Sequence, residues 1–243
     1  MLKAVSREMT LADQVRQQLE NLIVGDSILP GDRLPSEKAM SAKMGVSRSV
    51  IREAIQQLTA QGLVETRTGS GIYVRALGTH LVTEPMNLLL RSHRFRFGTE
   101  EILEVREVLE VKIAGLAAER AEPADIEAMQ STIDALNNTQ LTPSEYAETD
   151  VAFHNRLAAA AGNPLFSVLS NSINDVMIKI RLRAFSVDGI ETARRAAHYH
   201  ASILERVAAG EVEGARLAMT EHLGEARDTL RRADAFLSSR RLS

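Results

Sequence analysis

The chain has 243 residues, 44% of them hydrophobic, which is enough for one large domain or two smaller ones with buried cores. It contains no cysteine, and this excludes disulfides and thiolate metal sites. The first ten residues lack the apolar stretch of a signal peptide, and no apolar run approaches the roughly 18 residues of a membrane helix. We therefore expect a cytoplasmic protein without a membrane partner.

The net charge of −3 is distributed unevenly along the chain. Residues 33–75 contain seven Lys/Arg and three Asp/Glu, a surplus of four positive charges, whereas residues 76–243 contain 19 and 24, an excess of five negative charges. Chance clustering would also produce such an imbalance. The basic segment nevertheless places positive charge where contacts with a phosphate backbone would need it.

Three helices are predicted in the first 62 residues. Apolar residues at helical spacing predict the first helix over 11–24. Ser36 is a suitable N-cap for the second helix, and Ser47 for the third. Arg48 and Arg52 are four residues apart in the third helix, so they share a stripe that faces solvent beside its apolar face.

Two short strands are predicted next, at about 63–67 and 72–75, around a loop that contains Gly69 and Gly71. Glycine permits the positive φ that a tight hairpin requires. Three helices followed by a hairpin form a winged helix-turn-helix. We place this domain at residues 1–75 and a linker at residues 76–80.

From residue 81 onward only helical patterns recur. The predicted fold class is therefore mostly α, with an all-helical bundle of six or seven helices over residues 81–243. Proline, glycine and capping residues delimit the predicted helices at 80–92, 100–120, 123–137, 143–161, 164–185, 190–209 and 211–236.

Four residues of the second half form a candidate metal site. Asp150 and His154 are four residues apart in a helical segment and so leave the same face one turn apart. His200 and His222 lie on two later helices, and Gly210 between them predicts a helical hairpin that lets both point to one place. One carboxylate and three imidazoles suit zinc or another borderline divalent metal. Spacing alone leaves open that these histidines are ordinary core or surface residues.

The motif order in the first 75 residues resembles the DNA-binding half of GntR-family transcription regulators. The matching segments are 30–37, 45–48 and 52–54. The resemblance implies that the third helix enters the major groove and that the wing touches the minor groove or the backbone. Many relatives carry Arg where this chain has Lys38, so a bidentate contact becomes a weaker point-charge contact. The predicted DNA-binding residues are Ser36, Lys38, Ser47, Arg48, Ser49, Arg52, Thr68 and Gly69.

Residues 150–163 and the two later histidines resemble the FCD effector domain of the FadR-like GntR subfamily. The resemblance implies that Asp150, His154, His200 and His222 bind a divalent metal at the floor of an all-helical cavity. Zinc is the expected ion, and nickel or manganese would also fit nitrogen and oxygen ligands.

Arg106 lies in a segment, 104–110, that resembles the first long helix of the same domain. The resemblance implies that Arg106 faces the cavity and binds a carboxylate effector, although a salt bridge with a nearby Glu is the alternative. Asn174 is predicted to line the same cavity. Arg181 and Arg183 are further candidates, but they are two residues apart on a helix and cannot both face inward.

These features together predict a ligand-responsive transcription regulator and not an enzyme. A homodimer would bind a palindromic DNA operator, and a small organic acid would alter operator affinity, as in a repressor released by its effector. Two alternatives remain. The metal itself could be the signal, or the metal centre could be hydrolytic, although no His-Glu-x-x-His base accompanies it.

Overall fold

The computed structural model describes residues 9–92 and 98–240. The chain divides into two compact units between Leu81 and Val82. In chain order, the elements of the first unit are α1 (Leu11–Val24), α2 (Glu37–Met44), α3 (Arg48–Ala60), β1 (Val64–Arg67) and β2 (Gly71–Val74).

Local capping explains where α2 and α3 begin. The Oγ atoms of Ser36 and Ser47 accept hydrogen bonds from the backbone N–H groups of Ala39 and Val50, at 3.2 and 3.4 Å. Gly45 ends α2 with a φ of 69°, a conformation that favours glycine. The predicted helix-turn-helix is confirmed, and its core is formed by Val15, Leu19, Ile23, Met40, Ile51, Ala54, Ile55 and Leu58.

A small antiparallel sheet completes the first unit. Val64 lies opposite Val74 in the β1–β2 ladder. The segment 31–34 adds to the free edge of β2, since the Leu34 N–H donates to the Ile72 carbonyl at 2.8 Å and the Val74 N–H to the Asp32 carbonyl at 2.9 Å. These bonds attach the hairpin to the loop before α2, and the predicted winged helix-turn-helix is confirmed.

The second half of the chain is all-helical in the part that the structure describes, as predicted. Thr142 and Glu145 form a reciprocal capping box at the start of α7. The first two residues of α4, His80 and Leu81, belong to the first unit. The helices are α4 (His80–Arg91), α5 (Thr99–Arg120), α6 (Pro123–Leu136), α7 (Pro143–Ala160), α8 (Pro164–Asn171), α9 (Asn174–Asp188), α10 (Ile190–Ala208) and α11 (Val212–Arg240).

The single helix predicted over residues 164–185 was wrong, because the chain breaks there into α8 and α9. Ser172 caps the end of α8, and its hydroxyl donates to the Leu169 carbonyl at 2.6 Å. Asn174, at the start of α9, donates from Nδ2 to Oδ1 of Asn171 at 2.9 Å. Short polar side chains of this kind offer hydrogen bonds that compete with continuation of the helix.

Packing among α5, α7, α9, α10 and α11 forms the interior of the second unit. Helix α7 contributes Phe153 and Leu157 to one apolar cluster and Val151 to another, which also contains Met177 and Ile180 of α9. The inward faces of these helices therefore define the space in which the polar residues of this unit meet. Among the described residues, no helix combines the length and the apolar character that crossing a membrane would require.

Candidate functional site

The eight predicted DNA-binding residues lie on the surface of the first unit. Ser36 and Ser47 are N-caps, Lys38 follows on α2, and the arginines project from α3. The side chains of Arg48 and Arg52 are 63% and 57% exposed. Exposure of this extent leaves both guanidinium groups accessible to a DNA duplex.

Glu37, which the sequence reasoning did not single out, joins the two arginines. Arg52 donates from Nε to Oε1 of Glu37 at 3.2 Å and from Nη2 to Oε2 at 2.9 Å. Nη2 of Arg48 lies 3.8 Å from the same Oε2. The hydrogen bonds from Arg52 hold the pKa of the Glu37 carboxyl below its ordinary value, so it is ionised at neutral pH. Its place in the first turn of α2 was the available sequence signal.

The wing presents Thr68 and Gly69 at an exposed tip, where Gly69 has a φ of 72°. Below the tip, Arg67 pairs with Glu65 at 2.7 Å, and its guanidinium carbon lies 4.4 Å from the centre of the Tyr73 ring. The Arg67–Tyr73 contact links the two strands, and Thr68 and Gly69 lie outside the paired residues.

The four predicted metal ligands converge in the second unit. Nitrogens of His154, His200 and His222 lie within 4.8 Å of one another. The closest pair is Nε2 of His154 and Nε2 of His222, 3.3 Å apart. Asp150 is adjacent, with Oδ1 3.7 Å from Nε2 of His200 and Oδ2 3.9 Å from Nε2 of His154. Helices α7, α10 and α11 supply these residues from three distant parts of the sequence.

One of the spacings matches that of two ligands of a single divalent ion. Two nitrogens bound to one zinc ion with tetrahedral geometry lie roughly 3.3 Å apart, which matches the His154–His222 distance. Phe153 stacks on the His200 ring, with centroids 3.9 Å apart and planes 6° from parallel. This stacking restricts the orientation of the imidazole.

Burial keeps two of the histidines neutral. It lowers the pKa of His200 to about 3 and that of His222 well below the ordinary value. Neutral imidazole is the form that binds a metal, because one ring nitrogen then carries a free lone pair. Both residues are therefore in the ligand form at neutral pH.

Several polar atoms at this place are buried without a hydrogen-bond partner among the described residues. They include Oδ1 of Asp150 and both ring nitrogens of His200. A buried polar atom without a partner costs about 1–3 kcal/mol. Oδ1 of Asp150 and Nε2 of His200 lie 3.7 Å apart, and this oxygen and nitrogen pair fits a bound cation.

Two buried ion pairs flank the histidines. Arg181 donates from Nε to Oδ2 of Asp150. Arg106 donates from Nε and Nη2 to Glu110 at 2.6 and 2.9 Å, and Oε2 of Glu110 lies 3.0 Å from Nδ1 of His154. This Glu110–His154 contact falls outside hydrogen-bond geometry.

These pairs change what was expected of Arg106. It lines the cavity, as predicted, but Glu110 engages two of its nitrogens, and only Nη1 lacks a hydrogen-bond partner among the described residues. Burial opposes ionisation of Glu110, but Arg106 and then His154 outweigh it and lower the pKa of its carboxyl. The sequence reasoning gave a salt bridge with a nearby Glu only as the alternative and did not single out Glu110, although its position one turn after Arg106 was a usable signal.

A narrow cavity of about 20 Å³ lies beside these residues. Asn174 lines it, as predicted, and so do Arg181 and Ser170. Of the two alternative arginines, Arg181 is the one that faces inward, while Arg183 pairs with Asp234 at the surface. The volume holds about one water molecule.

The fold and the exposed arginine face define a class of protein, a winged helix-turn-helix DNA-binding protein with a second, helical unit. Comparison with known proteins specifies the family. Residues 11–74 match the model of the bacterial regulatory proteins of the gntR family, and residues 101–225 match the FCD domain. The chain belongs to the GntR family of transcription regulators that carry an FCD domain. Members bind DNA and are not enzymes.

Individual relatives agree with this assignment. The HTH-type transcriptional regulator LutR of Bacillus subtilis is 31% identical over 214 residues, which cover 86% of this chain and 96% of LutR. An Escherichia coli relative named "Putative L-lactate dehydrogenase operon regulatory protein" is 29% identical, covering 92% of this chain and 88% of the relative. The solved structure of Streptococcus agalactiae GntR has a TM-score of 0.72 at 25% identity, covering 91% of this chain and 99% of that one.

Proposed function

We propose that the second unit binds a divalent metal and a small carboxylate effector, and that the effector alters the affinity of the first unit for DNA. The regulator acts as a homodimer on a palindromic operator in the cytoplasm, as a repressor that the effector releases. The observation that carries this proposal is the convergence of His154, His200 and His222 beside two buried arginines. Zinc is the favoured ion, with nickel and manganese as alternatives.

The charges around the histidines indicate the sign of the effector. Arg106 and Arg181 are balanced by Glu110 and Asp150, and all four residues are buried. With neutral histidines, a divalent ion would leave two uncompensated positive charges in a region of low dielectric. An anionic ligand compensates them, and the free Nη1 of Arg106 and Nη2 of Arg181 are suitable donors to a carboxylate.

The size of the cavity limits the effector to a small acid and requires local movement. A cavity of about 20 Å³ is too small for any organic acid. None of the residues of α8 is buried, and the cavity lies against the α8–α9 break through Ser170 and Asn174. Movement of α8 away from α7 therefore costs little burial and would open the cavity. L-lactate is the first acid to test, given the name of the E. coli relative.

Metal content tests the ligand set directly. The purified protein, His154→Ala, His222→Ala and the control His198→Ala are loaded with zinc, dialysed and measured by mass spectrometry. His198 is exposed and two residues from His200, so the control removes an imidazole outside the cluster. We expect about one metal per chain in the native protein and in the control, and none in the other two variants. Absence of metal from the native protein would overturn the site.

Operator binding tests the response. An operator is first selected from a pool of random DNA duplexes, and its affinity for zinc-loaded protein is measured with and without L-lactate and other 2-hydroxy acids or dicarboxylates. We expect a small acid to weaken binding at least fivefold, the lower end of typical allosteric coupling. If zinc alone changes the affinity and no acid does, the metal itself is the signal. Fluorescence anisotropy provides the measurement.

A further inference from the structure

We propose that Glu37 determines DNA sequence specificity by positioning Arg52 to read a guanine. This inference rests on the DNA-contacting role proposed for α3. From the sequence alone, Arg52 could contact either a base or a phosphate. The structure distinguishes these two roles, because the Glu37 carboxylate already occupies part of the Arg52 guanidinium.

Glu37 occupies one particular edge of the Arg52 guanidinium. The two hydrogen bonds, at 3.2 and 2.9 Å, use Nε and one N–H of Nη2. The remaining N–H groups, on Nη1 and on the other side of Nη2, form the end of the fork. Two parallel donors are what the O6 and N7 acceptors of guanine require in the major groove. Glu37 therefore holds Arg52 by its side edge and leaves the base-reading edge free.

Arg48 lacks this constraint. Its Nη2 lies 3.8 Å from Oε2 of Glu37, which is beyond hydrogen-bond distance, and its side chain is the more exposed of the two. An exposed guanidinium near the beginning of α3 that Glu37 does not hold in place suits a phosphate oxygen. The two arginines consequently have different roles, with Arg52 contributing specificity and Arg48 contributing affinity.

The position of Glu37 also gives a role to a negative charge on a face that meets DNA. A carboxylate repels phosphates and, by itself, lowers affinity for every DNA sequence. A carboxylate beside the most basic part of the chain is useful when the gain is discrimination. Replacing Glu37 should therefore raise non-specific affinity and reduce specificity, which are opposite effects on two measurable quantities.

The test compares Glu37→Gln with a matched control, Glu53→Gln. Glu53 is exposed on α3 next to Arg52, and no ion pair of Glu53 is present among the described residues. Its replacement removes the same charge near the DNA and leaves the Glu37–Arg52 fork intact. Random duplex pools are selected with native protein, both variants and Arg52→Ala, and thermal melting verifies that each is folded.

We expect Glu37→Gln and Arg52→Ala to lose preference for the same G·C pair, by about tenfold, while Glu53→Gln keeps it. Loss in Arg52→Ala with full retention in Glu37→Gln would overturn the positioning role. Loss in Glu37→Gln with retention in Arg52→Ala would also overturn it, because Glu37 would then contact a base itself. If the native protein selects no sequence at all, the DNA-reading role of α3 fails as well.

Discussion

The arginines of the two units show how burial changes the role of an arginine ion pair. In the first unit, Arg48 and Arg52 are more than half exposed, and their common partner Glu37 is at the surface. In the second, Arg106 and Arg181 are 2% and 3% exposed and are paired inside the helical bundle. An exposed ion pair contributes about 0–1 kcal/mol to stability, so loss of the Glu37–Arg52 pair should cost the first unit little. The buried pairs support the fold and the site together.

This difference has a functional consequence. On the proposed DNA-binding face, DNA can contact the α3 arginines while Glu37 stays in place, without unfolding the helix that carries them. In the second unit, removal of one partner leaves a charge stranded among helices that also supply the proposed metal ligands. We therefore expect function and stability to be separable in the first unit and coupled in the second.

The largest expected effect is on a buried pair. Arg181→Ala leaves Asp150 buried and without its guanidinium, and should lower the free energy of unfolding by about 3–5 kcal/mol. Arg183→Ala, on the same helix, removes a partially exposed pair with Asp234 and should cost less than about 1 kcal/mol. Urea denaturation of metal-free protein, followed by circular dichroism, measures both. Similar losses of unfolding free energy in the two variants would contradict the expected difference between buried and exposed ion pairs.

A smaller effect tests whether the stability cost of a substitution depends on the burial of the residue and not on the unit that contains it. Ser47→Ala in the first unit and Thr142→Ala in the second each remove an exposed N-cap, and each should cost about 1 kcal/mol at neutral pH. A much larger cost in one unit would contradict this expectation. The same urea denaturation applies to both.

The two caps should differ in their response to acid. The hydrogen bond from Thr142 lowers the pKa of Glu145 below its ordinary value of 4.5, whereas the Ser47 cap engages no carboxylate. The contribution of the ionised Glu145 carboxylate to stability is fully present above pH 4.5. It is lost as the pH falls through the lowered pKa that Glu145 has in the folded state. The cost of Thr142→Ala should therefore shrink in acid, while that of Ser47→Ala stays constant.

The smallest expected change in stability is at the DNA-binding face. Arg48→Ala should change the free energy of unfolding by less than about 0.5 kcal/mol, because the side chain is exposed and lies beyond hydrogen-bond distance of Glu37. It should weaken DNA binding to all sequences alike and reduce the dependence of log affinity on log salt by about one. Fluorescence anisotropy at several salt concentrations measures this slope. An unchanged slope would contradict a phosphate contact.

Much of the first unit was predictable from the sequence because its signals are local. Ser36 and Ser47 mark helix starts through bonds to backbone three residues away, and Gly45 marks an end through its positive φ. The exposed position of Arg48 and Arg52 follows from the apolar spacing of α3. The same kind of signal placed Thr142 at the start of α7.

Less of the second unit was predictable because its contacts join distant residues. The spacing of Asp150 and His154 placed two groups on one face of a helix, and the hairpin predicted at Gly210, together with the family resemblance, added His200 and His222. Nothing local indicated that Arg181 would pair with Asp150, 31 residues away, or that Glu110 would lie against His154 on another helix. The break at Ser172 was missed because a 22-residue helical pattern conceals a local hydrogen bond that ends it.

The sequence by itself determined the two kinds of unit, most helix ends and the exposure of the proposed DNA-binding residues, because these depend on hydrogen bonds and periodicity within a few residues. The tertiary structure decided which charges are paired. Burial makes an unpaired charge costly, so the packing of α5, α7, α9, α10 and α11 selects each partner by proximity in space. In the same way, it brought three histidines from three helices to within 4.8 Å of one another.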